Sequence, residues 1–271
     1  MRGTILRNIA LLFCSLVACS GAIAGGYGEQ GRLERDWYEQ INGSSGGPTE
    51  KLSKAYTAMS ATQEVKTAQE DGCGCAIDAQ GRILDPVKCP PVFASGREDL
   101  AKAQAVEIVP PVSWAAALQC FSQGAPSCRN SKGIQLVGET CCEWADRGYT
   151  KIKSDANLYV LVAAPLVDRL AGLTFGPTPN GKRLVAECRI EVDRATRTWS
   201  FGPASSGFWA RSWLYAARHY GAKLPEPVGA LLRLSAERPP SSGEATRSRA
   251  IGQVQNGRVQ DVTLEFEGLK K

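Results

Sequence analysis

The sequence predicts an α+β fold, mainly helical, in a single disulfide-stapled domain. Three observations carry this. Apolar residues recur at helical spacing in several segments, such as Leu52, Tyr56, Met59 and Val65. A shorter stretch, Cys188-Arg189-Ile190-Glu191-Val192, alternates as a strand does. Of ten cysteines, eight remain once an N-terminal leader is set aside, an even number that suits a framework of bridges. With 271 residues, 43% of them hydrophobic and 22% charged, the chain is long enough to bury one sizeable core.

Residues 1–24 read as a signal peptide. Arg2 and Arg7 make a positive start, Ile9 to Ala18 is an apolar run too short to span a bilayer, and Ala22-Ile23-Ala24 offers a small-residue cleavage site. Leu16-Val17-Ala18-Cys19 also fits the pattern for lipidation, so a lipid anchor at Cys19 is the alternative to soluble export. The expected location is periplasmic or secreted in the first case, membrane-anchored in the second. No later stretch approaches the roughly 20 consecutive apolar residues of a transmembrane helix. Removing Arg2 and Arg7 from 32 basic residues leaves 30 against 27 acidic ones, or +3. That balance neither demands nor excludes a nucleic-acid partner.

Residues 25–49 are rich in Gly and Ser and read as a flexible lead-in, with a short helix at 33–41, before a domain over 50–271. Glu50 to Glu70 carries the first helical stripe and stops at Gly72. Ala76 to Leu84 reads as a hairpin about Gln80-Gly81, and Pro90-Pro91 ends that unit. Glu98 to Val106 reads as a short helix. Leu158 to Leu170 is a core segment; its length favours a helix, against which Pro165 stands. Arg183 to Trp199 reads as strands. Gly207 to Tyr220 is the clearest helix, with Gly221 as its stop. Pro225 to Leu234 is another, 238–249 a Pro- and Ser-rich linker, and 250–266 the closing segment.

The cysteines are 73, 75, 89, 120, 128, 141, 142 and 188. Cys73 or Cys75 with Cys89 would close a loop of about 15 residues, worth roughly 3 kcal/mol by chain entropy. Cys120 with Cys128 is the expected bridge across the next loop. The neighbours Cys141 and Cys142 call for two separate partners, with Cys188 among them, because a bond between them needs a strained ring. A zinc finger is disfavoured, since there are no paired CxxC spacings and only one histidine.

From about residue 50 to 262 the chain resembles the bacterial endonuclease I family of periplasmic or secreted nucleases. Cys73-Gly74-Cys75 with Asp85 and Cys89 matches that family's cysteine hairpin. Glu107-Ile108-Val109-Pro110-Pro111 sits where the family has E-H-V-V-P. Gln119-Cys120-Phe121 with Cys128 matches its disulfide loop. Asp155, Asn157-Leu158 and Asp168-Arg169 parallel D-x-H-N-L…D-R if one residue is deleted. Cys188 with Val192-Asp193 matches C-x-x-x-V-D, and Gly207-Phe208-Trp209-Ala210-Arg211 with Leu214-Tyr215 matches the long helix.

The resemblance implies a ββα-metal-like core that hydrolyses DNA or RNA with one divalent cation, Mg²⁺ or Ca²⁺. The residues carried over are Glu107 and Asn157 as metal ligands; oxygen donors of this kind suit such a cation. Ile108 occupies the place of the general base, and an alkyl group accepts no proton. The phosphate-contacting arginine is replaced by the Ala125-Pro126 part of the loop, leaving Arg129 as a candidate phosphate contact. His219, the only histidine, reads as a surface residue rather than a relocated base, and Asp155 as a helix cap. Trp114, Trp209 and Trp213 read as core. Two functions are therefore expected to compete: a weakened metal-dependent nuclease, and an inactive protein that binds nucleic acid or an envelope partner.

Overall fold

A computed structural model describes residues 47–61, 68–96, 101–110, 113, 118–130 and 132–255. They belong to one compact unit that begins at Gly47. The signal peptide, the anchor site Cys19, the helix expected at 33–41, Val65 and Trp114 lie outside the described residues.

Among the described residues the fold is mixed α+β, with nine helices and two small sheets. The helices are α1 (Pro48–Ala61), α2 (Pro90–Ser95), α3 (Gln119–Ser122), α4 (Glu139–Ala145), α5 (Arg147–Lys153), α6 (Ala164–Leu170), α7 (Ser206–Tyr220), α8 (Val228–Glu237) and α9 (Ser242–Val254). One sheet pairs β1 (Ala103–Glu107) with β2 (Tyr159–Ala163). The other has β3 (Thr174–Phe175), β6 (Thr198–Ser200), β5 (Glu191–Asp193) and β4 (Lys182–Arg183) in that order, with only the β3–β6 pair parallel. No helix among the described residues is long and apolar enough to cross a membrane.

The first sheet is the centre, and it corrects two expectations. The apolar run after Leu158 forms strand β2, buried at all five positions, rather than the first half of a long helix. Val160 and Val162 are β-branched and suit a strand with both faces covered. Pro165 does not interrupt a helix; it lies in the first turn of α6, where its missing N–H leaves nothing unpaired. A buried strand needs partners for its backbone groups. The segment read as a helix at 98–106 supplies them as β1, antiparallel from Ala103↔Ala163 to Glu107↔Tyr159. Pairing with β2 overrides the weak local preference.

Helix α1 lays Leu52, Ala55 and Tyr56 against α9 and both strands of this sheet. It is shorter than the expected 50–70 segment, and Gln69 instead bridges Ala76 in extended backbone. The hairpin is present in reduced form, as the bridge Ile77↔Ile83. Over the second sheet, Phe175, Trp199, Phe201 and Phe208 pack edge to face or tilted, the closest rings 4.7 Å apart.

Helix α7 buries Trp209, Trp213, Leu214 and Tyr215 and ends on Gly221, whose φ of 70° is the left-handed conformation a helix stop favours. Gly207 has a different reason to be glycine: a Cβ there would lie 2.2 Å from the Arg238 carbonyl. The linker expected over 238–249 is correct only to Ser241. The Ser241 side chain accepts from the Glu244 N–H and starts α9, which places Arg247 and Ser248 in the core.

Four disulfides staple the described residues: Cys73–Cys188, Cys75–Cys89, Cys120–Cys142 and Cys128–Cys141. Such a set belongs to an oxidising compartment. The 75–89 loop is as expected, and Cys141 and Cys142 do take separate partners. The expected Cys120–Cys128 bridge is wrong, and Cys188 pairs with Cys73 rather than with either neighbour. The α3–loop–α4 hairpin sets the two strands of chain side by side, so each cysteine of α4 meets the one across from it.

Candidate functional site

Glu107 and Asn157 lie at the same end of the β1–β2 ladder. Glu107 is the last residue of β1 and pairs with Tyr159. The next N–H, that of Ile108, donates to the Leu158 carbonyl at 2.8 Å. Asn157 sits one step earlier, in a tight turn over 156–158. The backbone thus brings the two positions close, but their side chains have different surroundings.

Glu107 faces α4 and α5. Its carboxyl is pushed up to about 7, first by burial and then by Glu139, while Lys153 opposes both. Lys153 donates to Glu143 and lies 3.7 Å from Glu139. Burial pulls the Lys153 ammonium down, but Glu143, Glu139 and Glu107 hold it above its ordinary value. Burial, reinforced by nearby carboxylates, pushes the Tyr149 and Tyr159 hydroxyls well above the ordinary phenol range. The site around Glu107 is therefore a carboxylate group with a lysine as its counter-charge.

Asn157 faces α7 and α9. Its side-chain amide donates to Asp155 at 3.1 Å, and it shares a small cavity with Phe208, Ser212, Tyr215, Glu244, Arg247 and Ser248. Its Oδ1 is buried with no hydrogen-bond partner among the described residues. Asp155 beside it is fully engaged. It accepts from the Tyr215 and Tyr220 hydroxyls at 2.6 Å, the Asn157 N–H at 2.9 Å, and the Asn157 and Gln255 amides at 3.1 Å. A carboxylate with five donors caps a turn and orients its neighbours.

No protein-family model matches this chain, and no curated protein does either.

The two proposed oxygen donors have different neighbours. A divalent ion bound by an amide and a carboxylate needs both oxygens within roughly 2.0–2.6 Å of one point. Here the amide has both Arg247 and Glu244 among its cavity neighbours, and the Glu107 carboxylate has Glu139 and the Lys153 ammonium. Among the described residues no group of three or more His, Cys, Asp or Glu side chains could hold a metal.

Ile108 is completely buried in the core, so the position the resemblance gives to a base is filled by hydrocarbon. Arg129 is exposed and donates to the Gly133 carbonyl across its own loop at 2.9 Å. His219 is exposed near the end of α7 and packs on Tyr215, ring centres 4.5 Å apart. Trp209 and Trp213 are buried. Sequence reasoning missed Glu139, Glu143, Tyr149, Lys153 and Tyr159 around Glu107. The four-residue step from Glu139 to Glu143 was a local sign of one acidic helix face; the approach of Lys153 depends on how α4 and α5 fold together.

The raised Glu107 carboxyl has a signed consequence. Between about 4.5 and about 7 the folded protein keeps a proton on Glu107 that the unfolded chain has lost. Stability therefore falls as pH rises through that window. Glu107→Gln should match the native protein in melting temperature at pH 4 and exceed it at pH 8. Equal pH profiles for the two proteins would show that the carboxyl titrates normally.

Proposed function

We propose that this is an exported, periplasmic or secreted, protein of endonuclease I type in which phosphodiester cleavage is lost or severely weakened. In this reading it retains a scaffold that binds nucleic acid or an envelope protein. The observation that carries it is the burial of Ile108, the residue at the base position, in the core. Losing a positioned base forfeits about 10²–10⁴-fold in rate.

The oxidised protein, incubated with plasmid DNA or RNA in Mg²⁺ or Ca²⁺, should show no cleavage that chelator removes. Chelator-sensitive cleavage that Glu107→Gln abolishes would overturn the proposal. Ile108→His should not restore activity. The imidazole would replace a fully buried side chain, costing about 2–4 kcal/mol of stability, and would face the core rather than solvent. Gain of metal-dependent cleavage by that one change would show that the rest of the machinery is intact.

One observation favours a second reading, residual hydrolysis. A carboxyl near 7 is matched to general acid–base work at neutral pH. Slow cleavage that is insensitive to chelator but lost in Glu107→Gln would select this reading.

A further inference from the structure

A cleft of about 660 Å³ opens on the α1–α9 side of the molecule, away from the surroundings of Glu107. It is lined by Tyr56, Arg189, Phe201, Phe208, Arg238 and Arg247, among others. That volume is in the range of small-molecule sites, about 300–1,000 Å³.

The lining holds acids as well as arginines, so the sign of a ligand is decided by which groups are already satisfied. Glu70 accepts from the backbone N–H groups of Gly72, Cys73 and Cys75 at 2.7, 2.6 and 3.1 Å. Asp71 accepts from the Tyr56 hydroxyl at 2.7–2.9 Å and from the Leu161 N–H at 2.7 Å. Glu244 is held by both forks of Arg211 at 2.6 Å. These carboxylates are hydrogen-bonded within the protein, and Asp71 and Glu244 also offset part of the Arg247 charge, so Arg189 and Arg238, both exposed, are the cations least compensated from within. Glu237 remains, exposed at the rim.

The other three guanidiniums keep donors in hand. Arg247, only 8% exposed, donates from Nε to Tyr56 and from Nη2 to the Ala156 and Tyr159 carbonyls. Its Nη1 has no acceptor among the described residues. Its Cζ lies 5.4 Å from the Phe208 ring centre and 6.0 Å from that of Tyr56. Arg189 uses one nitrogen on the Asp71 carbonyl at 2.6 Å and sits 5.8 Å from the Phe201 ring centre. Arg238 is exposed beside them. Guanidinium forks match the paired oxygens of carboxylate and phosphate, and the phenyl rings that carry them offer a flat apolar wall.

We propose that this cleft binds an oxyanion, carboxylate or phosphate, carried on an aromatic body. The oxyanion meets Arg189 and Arg247, and the aromatic part lies against Phe201 and Phe208. The proposal is independent of whether the protein cleaves nucleic acid.

Calorimetric titration of the oxidised protein tests it with four probes: adenosine monophosphate, 1-naphthoate, adenosine and inorganic phosphate. At least one of the first two should bind. Its counterparts lacking the anion or the aromatic body should bind at least about tenfold more weakly, the loss expected for charge-assisted hydrogen bonds. Binding of the nucleotide alone identifies a phosphate site, of the naphthoate alone a carboxylate site. Arg189→Glu, at an exposed position, should weaken binding at least about tenfold. Glu237→Gln should strengthen it by about twofold, and Arg194→Glu, remote on the β5–β6 turn, should leave it unchanged. Adenosine binding as tightly as its monophosphate, an unchanged affinity in Arg189→Glu, or no binding of either anion at millimolar concentration overturns the proposal.

Discussion

Glu244→Ala is expected to cost about 3–5 kcal/mol, the usual penalty for stranding one member of a buried ion pair. For a chain of this size that lowers the melting temperature by about 6–20 °C. Arg211 is buried on α7, and its Nε and Nη2 both reach Glu244 on α9 at 2.6 Å. Its Nη1 donates to the Ser235 and Arg238 carbonyls at the end of α8. One guanidinium thus ties three helices, and without its carboxylate it would remain as an uncompensated charge in the core. The double replacement Arg211→Met with Glu244→Leu should recover most of the loss, because removing both charges removes the desolvation cost with the attraction. A melting temperature within a degree or two of the native value for Glu244→Ala would mean that water reaches the pair.

Replacing Cys73 and Cys188 together by serine should cost about 4–5 kcal/mol under non-reducing conditions. This bridge spans 115 residues, whereas Cys75–Cys89 spans 14. Chain entropy grows with the logarithm of the closed loop, giving about 4–5 kcal/mol for the long bridge and about 3 for the short one. Bridges within the long loop shorten it, but a logarithm is forgiving. Urea denaturation of the two double variants should rank them in that order. A short-loop variant that is as destabilised as the long-loop one would show that native packing, rather than the unfolded chain, sets the contribution.

The elements legible in the sequence were those whose residues decide locally. The Ser206–Tyr220 helix carries an apolar face, a glycine stop and no competing signal, and it formed as read. Asp155 caps its turn, as an Asp before a short helix should. The failures were decided by distant chain. Residues 103–107 and 159–163 became strands because each supplies the other's backbone hydrogen bonds. No window of one sequence displays that pairing. The turn of α9 was hidden because Pro239-Pro240-Ser241-Ser242-Gly243 has a linker's composition, yet Ser241 is a cap and Arg247 is held by Tyr56 from the opposite end of the domain. At the site, Glu107 and Asn157 were placed near each other along the backbone. The direction of their side chains, and the lysine facing one of them, follow from helix packing that residue spacing does not encode.

The neighbouring cysteines of α4 carry a consequence for how the molecule matures. Cys120–Cys142 encloses Cys128–Cys141, one ring inside another. Exchanging partners would alter each ring by a single residue, so loop entropy alone barely separates the native pairing from the swapped one. Selection must come from side-chain fit, with each thiol in reach of the wrong disulfide until that fit is complete. Reaching the native pairing in this hairpin therefore depends on exchange between neighbouring sulfurs as well as on their first oxidation.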